Sequence, residues 1–198
     1  MAQGVGGDDA AYASWTATPT VVSAHDLDAV VSACKDQVES YFADPGQARL
    51  VLAERRGDHV AVLYRTEDPD ISASCLARNP PGSREVDDVD SGAGGSSGPA
   101  LAAPPRGFTQ GALSSSDEAS ITDGAVGAEV VGVSIHAGTR TVAASVQNGR
   151  YAAWWPGPAF RSGPPGPRGK GRRELILTYD LTLADGTVIR DAQPTLPR

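Results

Sequence analysis

The 198-residue chain is poor in lysine, cysteine and histidine, and each scarcity closes off a class of function. Lys35 and Lys170 are the only lysines among 17 basic residues, and 24 acidic residues leave a net charge of −7. General nucleic-acid binding needs a basic face to neutralise phosphates, so the balance argues against a nucleic-acid partner. The lysine scarcity, with abundant Ala, Gly, Asp and Val, reflects high-GC coding and carries no mechanism. His25, His59 and His136 stand far apart, and no CxxC pair accompanies them. A four-ligand zinc centre is therefore not legible, and no metal or cofactor is expected. Gly-x-Ser-x-Gly, His-Glu-x-x-His, a P-loop and a dinucleotide fingerprint are all missing, so no catalytic residue is assigned. No run approaches the ~18 to 20 apolar residues of a spanning helix. The start, Met1 to Asp9, lacks a basic and then apolar signal-peptide pattern.

What is present is 40% hydrophobic and 21% charged, with 23 glycines and 15 prolines that promise long loops. Residues 1–20 are small, acidic and irregular, and read as a disordered leader carrying Trp15. From Leu27 the apolar residues Leu27, Val30, Val31, Cys34, Val38, Tyr41 and Phe42 recur at helical spacing. Ser23 followed by Asp26 resembles a capping box, and Asp44-Pro45-Gly46 is expected to end the helix. Three runs of period two follow. Leu50 and Leu52 share a face in 49–55, Val60, Val62 and Tyr64 in 59–65, and Ile71, Ala73 and Cys75 in 71–77. Segment 21–78 is thus expected to be a helix on a three-strand meander.

Residues 79–106, rich in Gly, Pro and acid, read as a linker loop. Strands are expected again at 129–136, 139–147 and 150–155, with Asn148-Gly149 the strongest hairpin signal. After an open loop at 156–173, Leu175, Leu177, Tyr179, Leu181 and Leu183 alternate through 174–184, and a last strand covers 187–191. Segment 107–193 is expected to be an antiparallel sheet or small sandwich sharing a core with 21–78. The fold class is α+β, mainly antiparallel β with one amphipathic N-terminal helix packed on the sheet.

Four features bear on function. Cys34 and Cys75 are either a disulfide closing a loop of about 40 residues, worth roughly 4 kcal/mol in the chain-entropy model, or two small buried thiols. Both fall on the inward faces of their elements, which favours the disulfide. Arg161, Arg168, Lys170, Arg172 and Arg173 put five cations into 13 residues of an extended Pro/Gly loop, enough to dock on an anionic envelope component. Tyr151, Trp154 and Trp155 lie beside that loop. Adjacent strand residues point to opposite faces, so over a single core one indole would need a covering loop or would form an exposed binding platform. Glu85, Asp87, Asp88 and Asp90 form an acidic cluster that fits a calcium loop at only two positions. Arg56-Gly57-Asp58 spells an adhesion tripeptide but reads as hairpin-turn chemistry.

The run Val131-Gly132-Val133, Ala144-Ser145-Val146-Gln147-Asn148-Gly149-Arg150-Tyr151-Ala152-Ala153-Trp154-Trp155-Pro156-Gly157 and Leu183-Ala184-Asp185-Gly186-Thr187 resembles the carboxy-terminal β-domain of a group of uncharacterised actinobacterial proteins. The Cys34 to Cys75 segment resembles their earlier part, and Ala-Ala-Trp-Trp-Pro-Gly is its most specific piece. Members of that group are often tethered by a membrane helix with this domain outside, a feature this chain lacks. The resemblance implies an extracytoplasmic, non-catalytic binding or sensing domain of the cell envelope, and carries over no catalytic residues. Two alternatives stay open: an intracellular protein-interaction domain, and a hydrolase whose site is assembled in space.

Overall fold

A computed structural model describes residues 11–165 and 171–196. Its helix, α1 (Ala24–Glu39), starts where Ser23 Oγ accepts the Asp26 N–H at 3.1 Å. Val30, Cys34 and Val38 bury one stripe. The helix stops five residues short of Asp44: Tyr41 and Phe42 turn back onto Val38 and Glu39, and Asp44 instead caps a 3-10 turn at Pro45–Gln47. Asp26 does not complete a capping box. Its carboxylate is buried against the Arg55 guanidinium at 2.9 Å and accepts the Gly82 N–H, which fixes the start of the helix to the sheet beneath.

That first sheet is β1 (Arg49–Arg56), β2 (His59–Glu67), β3 (Asp70–Arg78) and β4 (Asp87–Ser96), antiparallel throughout and in sequence order. Val60, Val62, Ala73 and Cys75 meet the helix stripe. The sulfurs of Cys34 and Cys75 lie at disulfide distance, with Cα atoms 6.1 Å apart. Leu50 and Leu52 do not share a face, because a bulge at Val51 re-registers the strand. Leu50 is left exposed and Leu52 points away from the helix.

The expected linker 79–106 contains β4, a full edge strand. Its apolar pattern is weak because the strand packs edge-on against residues 112–114. A side chain at Gly94 would put its Cβ 3.0 Å from that of Ala112, a crowded approach that glycine relieves. The expected leader is also structured where it is described. Thr20 pairs with Arg55, Trp15 and Tyr12 pack on Trp154, and residues 1–10 lie outside the described residues.

The central sheet has the order β5 (Leu113–Ser115), β6 (Ala119–Ala125), β10 (Arg150–Pro156), β9 (Ser145–Gln147). The outer sheet has the order β14 (Val188–Ile189), β13 (Leu177–Leu183), β7 (Val130–Ala137), β8 (Arg140–Ala143). The expected single strand 139–147 is broken at Ala144, where the chain leaves the outer sheet for the central one. The expected strand 174–184 is likewise two. β12 (Gly171–Leu175) pairs with β11 (Phe160–Pro165) in a ribbon, where a loop was expected, and Ile176 separates it from β13. Asn148 and Gly149, with φ of 52° and 72°, make the β9–β10 hairpin as expected from their dipeptide.

The result is four layers: helix, first sheet, central sheet, outer sheet. The fold is α+β, mainly antiparallel, with the helix on the first sheet. Alternation along β10 divides the interior. Tyr151, Ala153 and Trp155 join the core shared with the outer sheet, whereas Ala152 and Trp154 face Leu52, Leu63, Ala61 and Leu76 of the first sheet. Among the described residues no helix is long and apolar enough to cross a membrane.

Candidate functional site

The tryptophan pair is not a platform. Trp154 and Trp155 are 0% and 1% exposed, because the strand that carries them is covered by a sheet on each side. Tyr151 is equally buried, packing on Phe108 and Tyr179 with its hydroxyl pKa pushed well up by burial. The alternation was readable from the sequence; the second covering sheet was not.

The basic segment is partly self-neutralised. Arg161 faces Glu174 across the β11–β12 ribbon at 3.0 Å, and the Arg173 guanidinium lies 5.0 Å from the Phe160 ring centroid. Arg168 and Lys170 lie outside the described residues, as does the side chain of Arg172.

The arrangement with room for a ligand lies elsewhere, between the edges of the first and central sheets. A cleft of ≈490 Å³ is walled by Asp88, Asp90 and Glu118, with Tyr12 and His59 at its inner end. It runs into a second hollow of ≈220 Å³ through the shared residues Leu76, Asp90, Ser116 and Ala119. The second hollow is bordered by several serines, of which Ser74 and Ser114 face the gap between the sheets, while the Ser91 hydroxyl turns to Gln37 and Tyr41 on the helix side and the Ser120 hydroxyl to Ser115 and the Gly157 carbonyl. Strand geometry explains the convergence. Ser74 and Leu76 alternate with the helix-facing Ala73, Cys75 and Ala77, so they point toward the central sheet. Ala119 and Ile121 on β6 point back at them. At a bulge in β4, Asp88 takes φ of 48°, and it and Asp90 stand at the cleft mouth.

The inner end is aromatic. Tyr12 lies 4.9 Å from His59 and 5.7 Å from Trp154, ring centre to ring centre. His59 is 3% exposed, its Nδ1 has no hydrogen-bond partner, and burial lowers its pKa so that it is neutral near pH 7. The site is thus rich in carboxylate acceptors, anionic at the mouth and apolar at the back. Asp88 and Asp90 belong to the acidic cluster that fits a calcium loop at only those two positions. Sequence reasoning missed His59, Tyr12 and the serines as site residues; only Ser74 carried a signal, its position on the face away from Cys75. Among the described residues no group of three or more His, Cys, Asp or Glu could hold a metal ion.

A carboxylate–imidazole–hydroxyl set does assemble on the outer sheet. His136 Nε2 is 3.2 Å from Asp180 and Nδ1 is 3.1 Å from Thr141 Oγ1. Asp180 also accepts from Arg190 at 3.1 Å and from the Asp191 N–H, which together with His136 hold its carboxyl below the usual range. These residues line neither cleft, and the Arg190 guanidinium and Asp191 N–H that also occupy Asp180 make the set a polar network of a sheet surface. No family model, curated protein or solved structure matches the chain.

Proposed function

We propose that the protein is a non-catalytic binding domain of the actinobacterial cell envelope, exposed outside the cytoplasm, with its ligand seat in the cleft between the first and central sheets. The observation that carries this is the cleft itself: Asp88, Asp90 and Glu118 opposite the Tyr12–His59 end, with Ser74 and Ser114 in the hollow that adjoins it. Carboxylates and hydroxyls accept hydrogen bonds from vicinal hydroxyls or an amine, while an aromatic wall stacks on the C–H face of a sugar ring. A neutral or amine-bearing glycan fits this chemistry, and a polyanion is repelled by it. The resemblance to envelope-tethered proteins and the Cys34–Cys75 pair support the compartment, since structural disulfides are rare in a reducing cytosol.

The test is binding of the full chain to purified envelope polysaccharide, measured for the unaltered protein and for two variants. Asp90→Ala with Glu118→Ala should weaken binding at least about tenfold, the value of one lost charge-assisted hydrogen bond, without lowering the melting temperature. Arg161→Ser with Arg173→Ser should leave it within about twofold. The opposite ranking would move the ligand to the ribbon and end the cleft reading. Mobility of native material with and without reductant checks the compartment separately.

A further inference from the structure

The two edges of the first sheet are finished differently. Beyond β1 the leader closes the ladder, because Thr20 and Arg55 exchange backbone hydrogen bonds at 2.9 and 3.0 Å. Beyond β4 no strand pairs, and Ala93, Gly95 and Ser96 stand exposed along it. Register decides which backbone groups face outward. The Asn79 N–H donates to the Asp58 carbonyl at 2.7 Å, so the odd-numbered residues of β3 bond to β2 and the even-numbered ones to β4. Ser72, Ser74 and Leu76 thus pair with Gly94, Gly92 and Asp90. Between them, Ser91 and Ala93 aim their N–H and C=O groups away from the sheet. The Tyr41 hydroxyl marks that side by donating to the Ser91 carbonyl at 3.1 Å. Among the described residues no other group bonds to these outward atoms.

Open edges are usually blunted by lysine, by proline or by a covering loop. Segment 87–96 contains neither lysine nor proline. Residues 112–114 approach along the Cβ directions of Gly92 and Gly94, which covers a face of the strand and not its edge. Each face of that edge offers a different chemistry. On the cleft side stand Asp88, Asp90 and Glu118. Among the described residues none of the three carboxylates has a cation at ion-pair distance, and nearby Arg78 goes to Asp87 at 3.7 Å. On the helix side an apolar hollow of ≈460 Å³ is lined by Pro69, Ile71, Ala93 and Gly95, among others. Asp90 and Ala93 are three positions apart, so their side chains leave opposite faces of the strand.

We infer that the edge of β4 docks an extended basic peptide as a fifth strand, its backbone on Ser91 and Ala93, a lysine or arginine on Asp90, and an apolar side chain three residues away over Ala93. The unpaired carboxylates select the charge, and the spacing is the same for either strand direction. The inference goes beyond the glycan reading, because main-chain hydrogen bonds supply the attachment and Ala93 lines neither the cleft nor the hollow beside it.

The probe is acetyl-Thr-Val-Thr-Thr-Lys-Thr-amide, titrated into the ¹⁵N-labelled full chain. Saturable shifts of the Ser91 and Ala93 amides are expected at about millimolar peptide, as befits so short a strand. Glutamate in place of the lysine should weaken binding at least about tenfold. Two further forms carry N-methyl groups on one or the other alternate set of residues. The form methylated on the side away from β4 should bind as the parent does, and the form methylated toward β4 should not bind. Ala93→Pro should abolish the response, since it removes an outward N–H and no bond to β3. Envelope polysaccharide should still bind that variant, so that failure of the edge and failure of the cleft are told apart. If the variant does not fold, the two methylated peptides decide alone. No response to the parent peptide overturns the inference, as does equal behaviour of the methylated forms, equal binding of the glutamate form, or a response that survives in Ala93→Pro. Concentration-dependent broadening of Ser91 and Ala93 without peptide would give the edge to a second copy and overturn it too.

Discussion

Burial at single positions is set here by how many sheets cover a strand. Trp154 and Trp155 are neighbours in sequence and belong to different cores, one facing the first sheet and one the outer sheet. Each fills its space with few alternatives for repacking, since Trp15 already abuts Trp154 edge-on at 6.5 Å. Trp154→Ala and Trp155→Ala should each cost about 3–5 kcal/mol in urea unfolding. A cost within about 0.5 kcal/mol for either would mark that indole as a surface group. The same layering buries a charged pair. Arg56 meets Glu54 at 2.8 Å, and it donates to the carbonyls of Ala17 and Ala143. Burial raises the Glu54 pKa, while Arg56 and the Ser145 hydroxyl pull it down. The pair joins the leader, β1 and the end of β8, where the chain changes sheets. Removing one partner would leave the other charge buried and unpaired.

At the scale of elements, what could be read in the sequence was whatever period and turn chemistry determine locally. The helix stripe, the faces of β2 and β3, and the Asn148-Gly149 hairpin follow from residues within one element. The failures share a cause: their determinants lie on another element. β4 looks like a linker because its glycines answer to Ala112 and Ser114 across a sheet edge. Ala144 and Ile176 interrupt good alternation because the chain moves from one sheet to another there. The candidate site shares this property, since Ser74, Leu76 and His59 have meaning only once β5 and β6 are set opposite them. The Cys34–Cys75 pair is the long-range link that local pattern did indicate, since each residue lies at a buried position of its own stripe. It ties α1 to β3 over a separation of 41 residues. Cys34→Ser with Cys75→Ser should lower unfolding free energy by about 4 kcal/mol in the chain-entropy account. Reductant should do the same to the unaltered chain and nothing further to the variant.

For the whole molecule, stacking three sheets confines ionisable groups between layers, and stability acquires a pH dependence that can be assigned to layers. Burial between the first and central sheets pushes the Asp123 carboxyl up to about 6, against the downward pull of Ser72 and Arg65. The groups facing it from the packed elements are Arg65, Ser72 and Arg150, with Asp70 behind Arg65. A folded pKa above the unfolded one means that the native state takes the proton first, so Asp123 adds stability as pH falls from above 6 to below 4. A rise of roughly two units is worth about 3 kcal/mol. His59 acts in the opposite sense: burial lowers its pKa, so its contribution is lost as pH falls below the unfolded value near 6.5. Asp26, Asp180 and Asp185, held low by hydrogen bonds and cations despite some desolvation, lose theirs only as pH drops below the unfolded carboxylate range. Because these effects overlap, the informative quantity is the stability of the unaltered protein minus that of Asp123→Asn at each pH. That difference should shift by about 3 kcal/mol in favour of the unaltered protein between pH 7.5 and pH 4, measured by urea unfolding. A flat difference would mean that the folded Asp123 carboxyl titrates as it does in the unfolded chain, its hydrogen bonds and the nearby guanidiniums fully offsetting its burial.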